Sequence, residues 1–538
     1  MFGQSFSNQS KKYITLVALT VALGGFVWGF DATVISGAAP FLKEYFQLKG
    51  SGGDWLLGLA VSCLGWGVLG GTAIAGLFSD RFGRKKVLIT TAVLFTGTSL
   101  VSALTTSFGL FVCARILGGV AVGGAILIAP VYIAEISPPK LRGSLVSLNQ
   151  LMIVLGISAS FFSNYFLLGA GANNWRWMLG MDAIPAVLYF LLLFAVPESP
   201  RWLFGKGETV KATQILAQTC GAEQAQQEID SIRQSYAVKA PSVPIAALFS
   251  RRMRFVMGIA LAIAFFQQIT GINAIFYYLP TIFVQAGGGT NAAFWQAVMV
   301  GLVNLGMTFV AIWLVDRLGR KPLLLLGAAG MAVSLLICSW AFHTADYQLT
   351  DKSFSVLQDN KVPGDLILEL KQADKGVFKT DKEFLAALDK QFGDDRLKPY
   401  RDTVVTAGLN IRASMVLFAI IGFVASFAIS LGPVMWVLLS EIFPNQYRGL
   451  AISLAGFWNS AISASVTLVF PWELSHIGPA GTFLGYGLMA ALALLFVVVF
   501  IPETKGKSLE ELEAFLTHGR RSARLGPKDQ PALSHETK

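Results

Sequence analysis

Asp31 is the residue of this 538-residue chain whose setting most narrows its chemistry. It follows an uncharged apolar run, Ile14 to Phe30, and the run continues beyond it, so a lone carboxylate sits in a segment suited to lipid. A charge at the bilayer centre costs about 2.5–3.5 kcal/mol on insertion scales, so such a residue faces the bundle interior or a wet cavity. Burial disfavours an ionised carboxylate and a nearby guanidinium favours it. A group that alternates between those settings can take a proton on one side and release it on the other; the alternative is a static ion pair that only orients helices. Uncharged amides recur inside the apolar runs: Gln150, Gln267, Gln268, Asn273 and Asn304. Each offers a donor and an acceptor to a neutral, hydroxyl-rich ligand, and each taken alone can instead tie helices together. Trp436 adds a flat face that can cover a ring.

The elements that must carry these residues are membrane helices. Hydrophobic residues make up 54% of the chain and charged ones only 14%, against about 25% charged in soluble domains. A hydrocarbon core needs roughly 20 apolar residues per helix, and runs of that kind fall near 13–38, 55–79, 86–106, 108–134, 144–170, 176–196, 253–286, 293–315, 321–342, 411–440, 446–472 and 479–501. Lys11 and Lys12 precede the first run without a small-residue cleavage site, so it reads as a span. The net charge of +10 does not point to nucleic acid, because Lys and Arg gather in alternate short loops: Arg81–Lys86, Lys140–Arg142, Arg317–Lys321, Arg448 and Arg520–Arg524. That asymmetry predicts both termini in the cytoplasm of a multi-pass plasma-membrane protein. The four cysteines show no disulfide or metal spacing, and the His residues are not placed with a nucleophile. No enzyme, cofactor or metal is therefore expected.

The chain repeats itself. Asp80-Arg-Phe-Gly-Arg-Lys85 returns as Asp316-Arg-Leu-Gly-Arg-Lys321, Glu135-Ile-Ser-Pro-Pro-Lys-Leu-Arg142 as Glu441-Ile-Phe-Pro-Asn-Gln-Tyr-Arg448, and Pro197-Glu-Ser as Pro502-Glu-Thr. Asp80 to Glu135 is 55 positions and Asp316 to Glu441 is 125. A charged external insertion at 343–410 absorbs nearly all of the difference. Glu135 to Pro197 and Glu441 to Pro502 are 62 and 61 positions. The organisation that follows is a six-helix bundle at 1–198, a polar helix-forming cytoplasmic linker at 199–250, and a second bundle at 251–342 and 411–505 interrupted by the insertion. A cytoplasmic tail occupies 506–538. Parallel six-helix repeats build a central site between two halves that rock around it. Asp80, Arg84, Glu135, Arg142, Asp316, Arg320, Glu441 and Arg448, joined by Glu198 and Arg201, can pair helix ends on the inner face and lock the outward-facing state. Topogenic charge alone is the alternative.

Gly29-Phe-Asp31 with Ile35-Ser-Gly37, the paired Asp-Arg-x-Gly-Arg loops, Pro197-Glu-Ser-Pro-Arg-Trp202, Gln267-Gln268 with Gly271-Ile-Asn273, Gly432-Pro-Val-Met-Trp436 and Pro502-Glu-Thr-Lys-Gly506 together resemble the sugar porters of the major facilitator superfamily. The resemblance covers nearly all of the chain outside 343–410. It implies an all-α polytopic membrane protein with the major facilitator fold, twelve transmembrane helices in two six-helix pseudo-repeats. Proton symporters of the family carry Asp where facilitative members carry Asn, and they pair it with an Arg of the fourth span, here Arg115. The resemblance also makes Gln150, Gln267, Gln268, Asn273, Asn304, Trp436 and Asn459 sugar contacts, and Trp28, Tyr277 and Tyr278 gates.

The implied activity is uptake of a monosaccharide, hexose or pentose, with a proton, in a lipid bilayer and by a functional monomer. A facilitative uniporter and a flux-free sugar receptor are the alternatives. Ile157, Ser460 and Trp28 depart from family residues, so the particular sugar does not carry over. Gln268 and Asn273, five positions apart, diverge by about 140° on an ideal helix; they converge only if the seventh span breaks, and Gly271 is where a break is expected.

Overall fold

Twelve helices among the described residues are long and apolar enough to cross a membrane: Ser10–Tyr45, Gly52–Phe82, Arg84–Leu104, Phe108–Ile136, Leu141–Leu167, Gly171–Leu193, Arg254–Tyr277, Thr290–Val315, Arg320–His343, Ala413–Ile442, Gln446–His476 and Gly478–Phe500. They are spans one to twelve below. The structure is a computed structural model that describes residues 8–237, 244–251, 253–359, 362–372, 376–379, 381–392, 394–397 and 400–505. The expected tail at 506–538 therefore lies outside the described residues, as does the side chain of Asp316.

Apolar burial cannot sort helices inside lipid, so small residues that let backbones touch decide the packing. Spans one and five pack together, and a Cβ at Gly29 would stand 2.0 Å from the Ile153 carbonyl oxygen. Spans two and eleven, from opposite halves, meet in the same way at Gly58, where a Cβ would stand 2.0 Å from the Leu468 carbonyl oxygen. The second seam between halves joins spans five and eight, where Ser158 Oγ donates to the Gly301 carbonyl at 2.9 Å. Asp54, at the start of span two, accepts from Ser475 Oγ of span eleven at 2.6 Å and lies 3.8 Å from Lys43.

Three spans are broken. Span six is interrupted at Asp182, between Asn174–Met181 and Ala183–Leu193. Span seven stops at Ile269 and restarts as Ile272–Tyr277, with Gly271 at φ +86°. Span ten breaks at Ser430. Only the second of these breaks was expected.

The linker folds into the helices Pro200–Gly205, Thr209–Cys220 and Ala222–Ala237, with Ala212, Leu216, Ile229 and Ile232 in a common core. The insertion, charged and mixed in sequence, is itself folded. It contains helices Asp351–Asp359, Gly364–Gln372, Asp381–Phe392, Asp394–Leu397 and Arg401–Gly408. A ribbon pairs Asp346–Tyr347 with Leu409–Asn410. Leu357, Leu370, Phe384, Leu397 and Val404 give it a separate apolar core. Its short helices each bury one narrow face, which mixed charge hides in a linear reading.

Candidate functional site

The first half holds a buried charge cluster. Asp31 is 1% exposed and Arg115 4%, and Arg115 Nη1 pairs with Asp31 Oδ1. Arg115 Nη2 also reaches the Asp31 carbonyl at 3.4 Å. The backbone contact at Gly29 brings Asp31 against span five, and Arg115 comes from span four. A third member was not singled out from sequence. Asp182, 1% exposed, stands at the break in span six and accepts from Ser99 Oγ at 3.1 Å. It is within hydrogen-bonding reach of Asp31 and close to Arg115.

Asp31 Oδ2 and Asp182 Oδ1 are buried without a hydrogen-bond partner. Two carboxylates facing one guanidinium leave one negative charge uncompensated, and uncompensated charge in a dry interior is costly. The signal for Asp182 was available: it is an acid inside an apolar run, as Asp31 is.

The second half holds an amide chain. Gln267 Nε2 donates to the Leu431 carbonyl at 2.8 Å, beside the break in span ten. Asn459 Nδ2 donates to Gln267 Oε1 at 2.7 Å and to the Ala264 carbonyl at 2.9 Å. Gln268 Nε2 donates to Asn459 Oδ1 at 3.2 Å. Asn273 Nδ2 donates across the break to Gln268 Oε1 at 2.9 Å, and to Ser463 Oγ at 2.6 Å. The left-handed turn at Gly271 is what lets residues 268 and 273 meet.

Gln150 and Asn304 are not in this chain. Gln150 is exposed on span five and Asn304 buried on span eight, and both spans border the Ser158–Gly301 seam. The Trp436 ring is partly exposed and lies 3.5 Å from the position of a Cβ at Gly456. Among the expected gates, Trp28 and Tyr277 are half-buried, and the segment that carries Tyr277 packs against span one. Tyr278 is buried against Phe470, ring centres 5.2 Å apart.

The repeated motifs form the same network twice. In the first half Arg84 pairs with Glu135 at 3.0 Å and with Asp80 at 3.2 Å, and Ser199 Oγ donates to Glu135 at 2.5 Å. Glu198 accepts from the backbone N–H groups of Arg84 and Lys85 at 2.9 and 3.1 Å. In the second half Arg320 pairs with Glu441 at 2.8 Å and Thr504 Oγ1 donates to Glu441 at 2.6 Å. Glu503 accepts from the backbone of Arg320 and Lys321 at 3.1 and 3.0 Å. Partial burial pushes the Glu503 carboxyl up, but backbone N–H groups of Lys505, Arg320 and Lys321 outweigh it and hold it below its ordinary value.

Arg142 and Arg448 instead reach backbone carbonyls, of Ser137 at 3.5 Å and Phe443 at 3.2 Å. Arg201 opens the helix Pro200–Gly205 near this network, and its carbonyl accepts from Tyr236 Oη at 3.2 Å. The ion pairs described here run between helices of one half, not across the two.

Comparison with known proteins fits this geometry. A family profile described as "Sugar (and other) transporter" matches residues 17–357 and 402–516, passing over the middle of the insertion. The arabinose-proton symporter of Bacillus subtilis is 34% identical over 512 residues, covering 94% of this chain and 96% of the relative. The D-xylose-proton symporter of Escherichia coli is 35% identical over 544 residues, with the same 94% and 96% coverage. The inward-open structure of the xylose transporter from E. coli superposes with a TM-score of 0.72 at 32% identity, over 93% of this chain and 99% of that one. With its twelve spans, doubled motifs and these matches, the chain belongs to the sugar porter family of the major facilitator superfamily.

Proposed function

We propose that this protein is a proton-coupled symporter that takes a monosaccharide, hexose or pentose, across the cytoplasmic membrane by alternating access. The observation that carries the reading is the division of labour between the halves. One half buries two carboxylates against one arginine; the other strings four neutral amides across a broken helix. Tyr277 belongs to the amide half, on a segment that packs against span one, which carries Asp31, and this gives ligand occupancy a route to the proton site. Relatives named as proton symporters for arabinose and xylose support the same assignment.

In this reading both termini are cytoplasmic, the insertion is external, and the monomer is the working unit. The structure then stands inward-facing: the halves touch at the Asp54–Ser475 end, and the inner ion pairs Arg84–Glu135 and Arg320–Glu441 each join helices of one half. When the inner face closes, the doubled carboxylate–arginine ends come together and lock the outward-facing state. Protonation from outside releases Arg115 from Asp31, sugar binds the amides, and the proton leaves once the site faces the cytoplasm.

A facilitative uniporter is the second reading, and the closed, buried Asp31–Arg115 pair is the observation in its favour. Adding xylose or arabinose to lightly buffered proteoliposomes separates the two. Symport alkalinises the external medium as sugar enters; sugar entry with no proton movement selects the uniporter.

A further inference from the structure

The left-handed turn that brings the amides together lies in the middle of a span, where a broken helix needs support. Backbone groups released from the helical ladder cannot turn to water inside a bilayer and must be satisfied by protein. The turn is partly self-satisfied, because the Gly271 N–H donates to the Gln268 carbonyl at 2.9 Å and Thr270 Oγ1 to the Gln267 carbonyl at 3.3 Å. Neither bond fixes the direction in which the Ile272–Tyr277 segment leaves the break.

A side chain from span twelve occupies that corner. The Tyr486 ring fills the space beside Gly271: a Cβ there would stand 2.5 Å from Tyr486 Cδ2 and 2.6 Å from Cε2. Tyr486 is buried, and its hydroxyl donates to Glu473 Oε2 of span eleven at 2.7 Å. The ring also stacks on Phe470, centres 6.2 Å apart and planes 12° apart. Phe470 in turn lies against Tyr278, the residue that follows the segment. One aromatic column therefore touches both ends of Ile272–Tyr277, at the Gly271 corner and at Tyr278.

Glu473 stands half-buried in the last turn of span eleven, and among the described residues no Lys or Arg forms an ion pair with it. What it has is the Tyr486 hydroxyl, whose bond at 2.7 Å ties the ring of span twelve to the end of span eleven. That bond fixes the tilt of the ring, and the ring limits where Asn273, two residues past the corner, can sit.

We propose that Tyr486, braced by Glu473, is a positioning residue for the sugar site: it holds the break in span seven at the angle that lets Asn273 meet Gln268. The inference rests on the reading of the amide chain as the sugar contact. It adds that part of the site's affinity is set by two residues that do not touch the ligand.

The test uses the purified full-length protein, with D-xylose and arabinose as probes and two readouts. The first is Kd together with the KM and maximal rate of transport. Tyr486→Phe keeps the ring and loses the hydroxyl, and Glu473→Ala loses the acceptor. Each raises Kd about threefold, and the double variant raises it no further, because both remove one bond. Glu473→Gln still accepts the hydroxyl and binds as wild type. Tyr486→Ala raises Kd about tenfold or more while the maximal rate changes less than about twofold, as expected when binding geometry alone is disturbed.

The second readout is amide hydrogen exchange across residues 268–278, which rises in Tyr486→Ala and Glu473→Ala without sugar present. Wild-type affinity in Tyr486→Phe and Glu473→Ala, or unchanged exchange in the Ala variants, overturns the proposal. A wild-type protein that binds neither probe removes the sugar reading instead, and the exchange measurement still decides whether the brace exists. Should Tyr486→Ala fail to fold, the Phe, Gln and Glu473→Ala variants carry the same decision.

Discussion

The amides of the second half hold one another as well as offering groups to the proposed ligand. Gln268 accepts from Asn273 and donates to Asn459, so Gln268→Ala breaks two bonds of the chain at once, leaves Asn459 Oδ1 without that donor and, in the proposed reading, removes a sugar contact. Leaving a buried polar group unpaired costs about 1–3 kcal/mol, so sugar Kd should rise about 10–100-fold in this variant. Gln150→Ala, exposed and outside the chain of bonds, should change Kd by about tenfold or less. Titration of both purified variants with xylose checks the ranking; equal losses would contradict it. The individual amides were legible because a polar group inside an apolar run is conspicuous. Their partners were not, since Gln267 meets the Leu431 carbonyl and Asn459 across more than 160 positions of chain. Asp182 was missed for another reason. It is an acid inside an apolar run, as Asp31 is, but it lies at a break in span six that Met181-Asp-Ala183 does not announce, and its link to Asp31 appears only in the fold.

At the scale of elements, Glu198 and Glu503 act as caps supplied from outside the helices they cap. Each receives the first N–H groups of a span that begins just after a Gly with positive φ, at Gly83 and Gly319. Negative charge at a helix N-terminus typically contributes about 0.3–1 kcal/mol, so Glu503→Ala should lower stability by about 1 kcal/mol. The sign with pH follows from the depressed carboxyl value. The contribution is whole above the ordinary glutamate value of about 4.3 and fades as pH falls through the lower folded value. Thermal unfolding of Glu503→Ala and wild type should therefore differ at pH 7 and converge in strong acid; a gap that widens in acid would contradict the capping role. The spans and the Gly271 break were readable because hydrophobic runs and glycine act locally. The break at Ser430 was not, since it depends on a backbone φ of −128° and ψ of −101° that the surrounding fold imposes.

Over the whole molecule, the two repeated halves meet at one end in the seam of spans two and eleven, where Asp54 supplies a carboxylate contact. Asp54 joins span two to Ser475 of span eleven, and a hydrogen bond to a charged group contributes about 1.5–3 kcal/mol. Asp54→Ala should shift the balance toward the outward-open form. A cysteine placed at Ala464, which packs beside Gly65 in the same seam, reports the shift in a Cys113→Ser background. An impermeant thiol reagent added outside should label it about tenfold faster, and unchanged labelling would contradict the latch.

The measurement closest to the central claim compares accumulation with exchange in Asp31→Asn. Wild-type proteoliposomes should concentrate sugar under an inward proton gradient. The variant, with a neutral amide in place of the carboxylate beside Arg115, should lose accumulation and keep counterflow of labelled against unlabelled sugar. Accumulation that persists undiminished in Asp31→Asn would contradict proton coupling through this site.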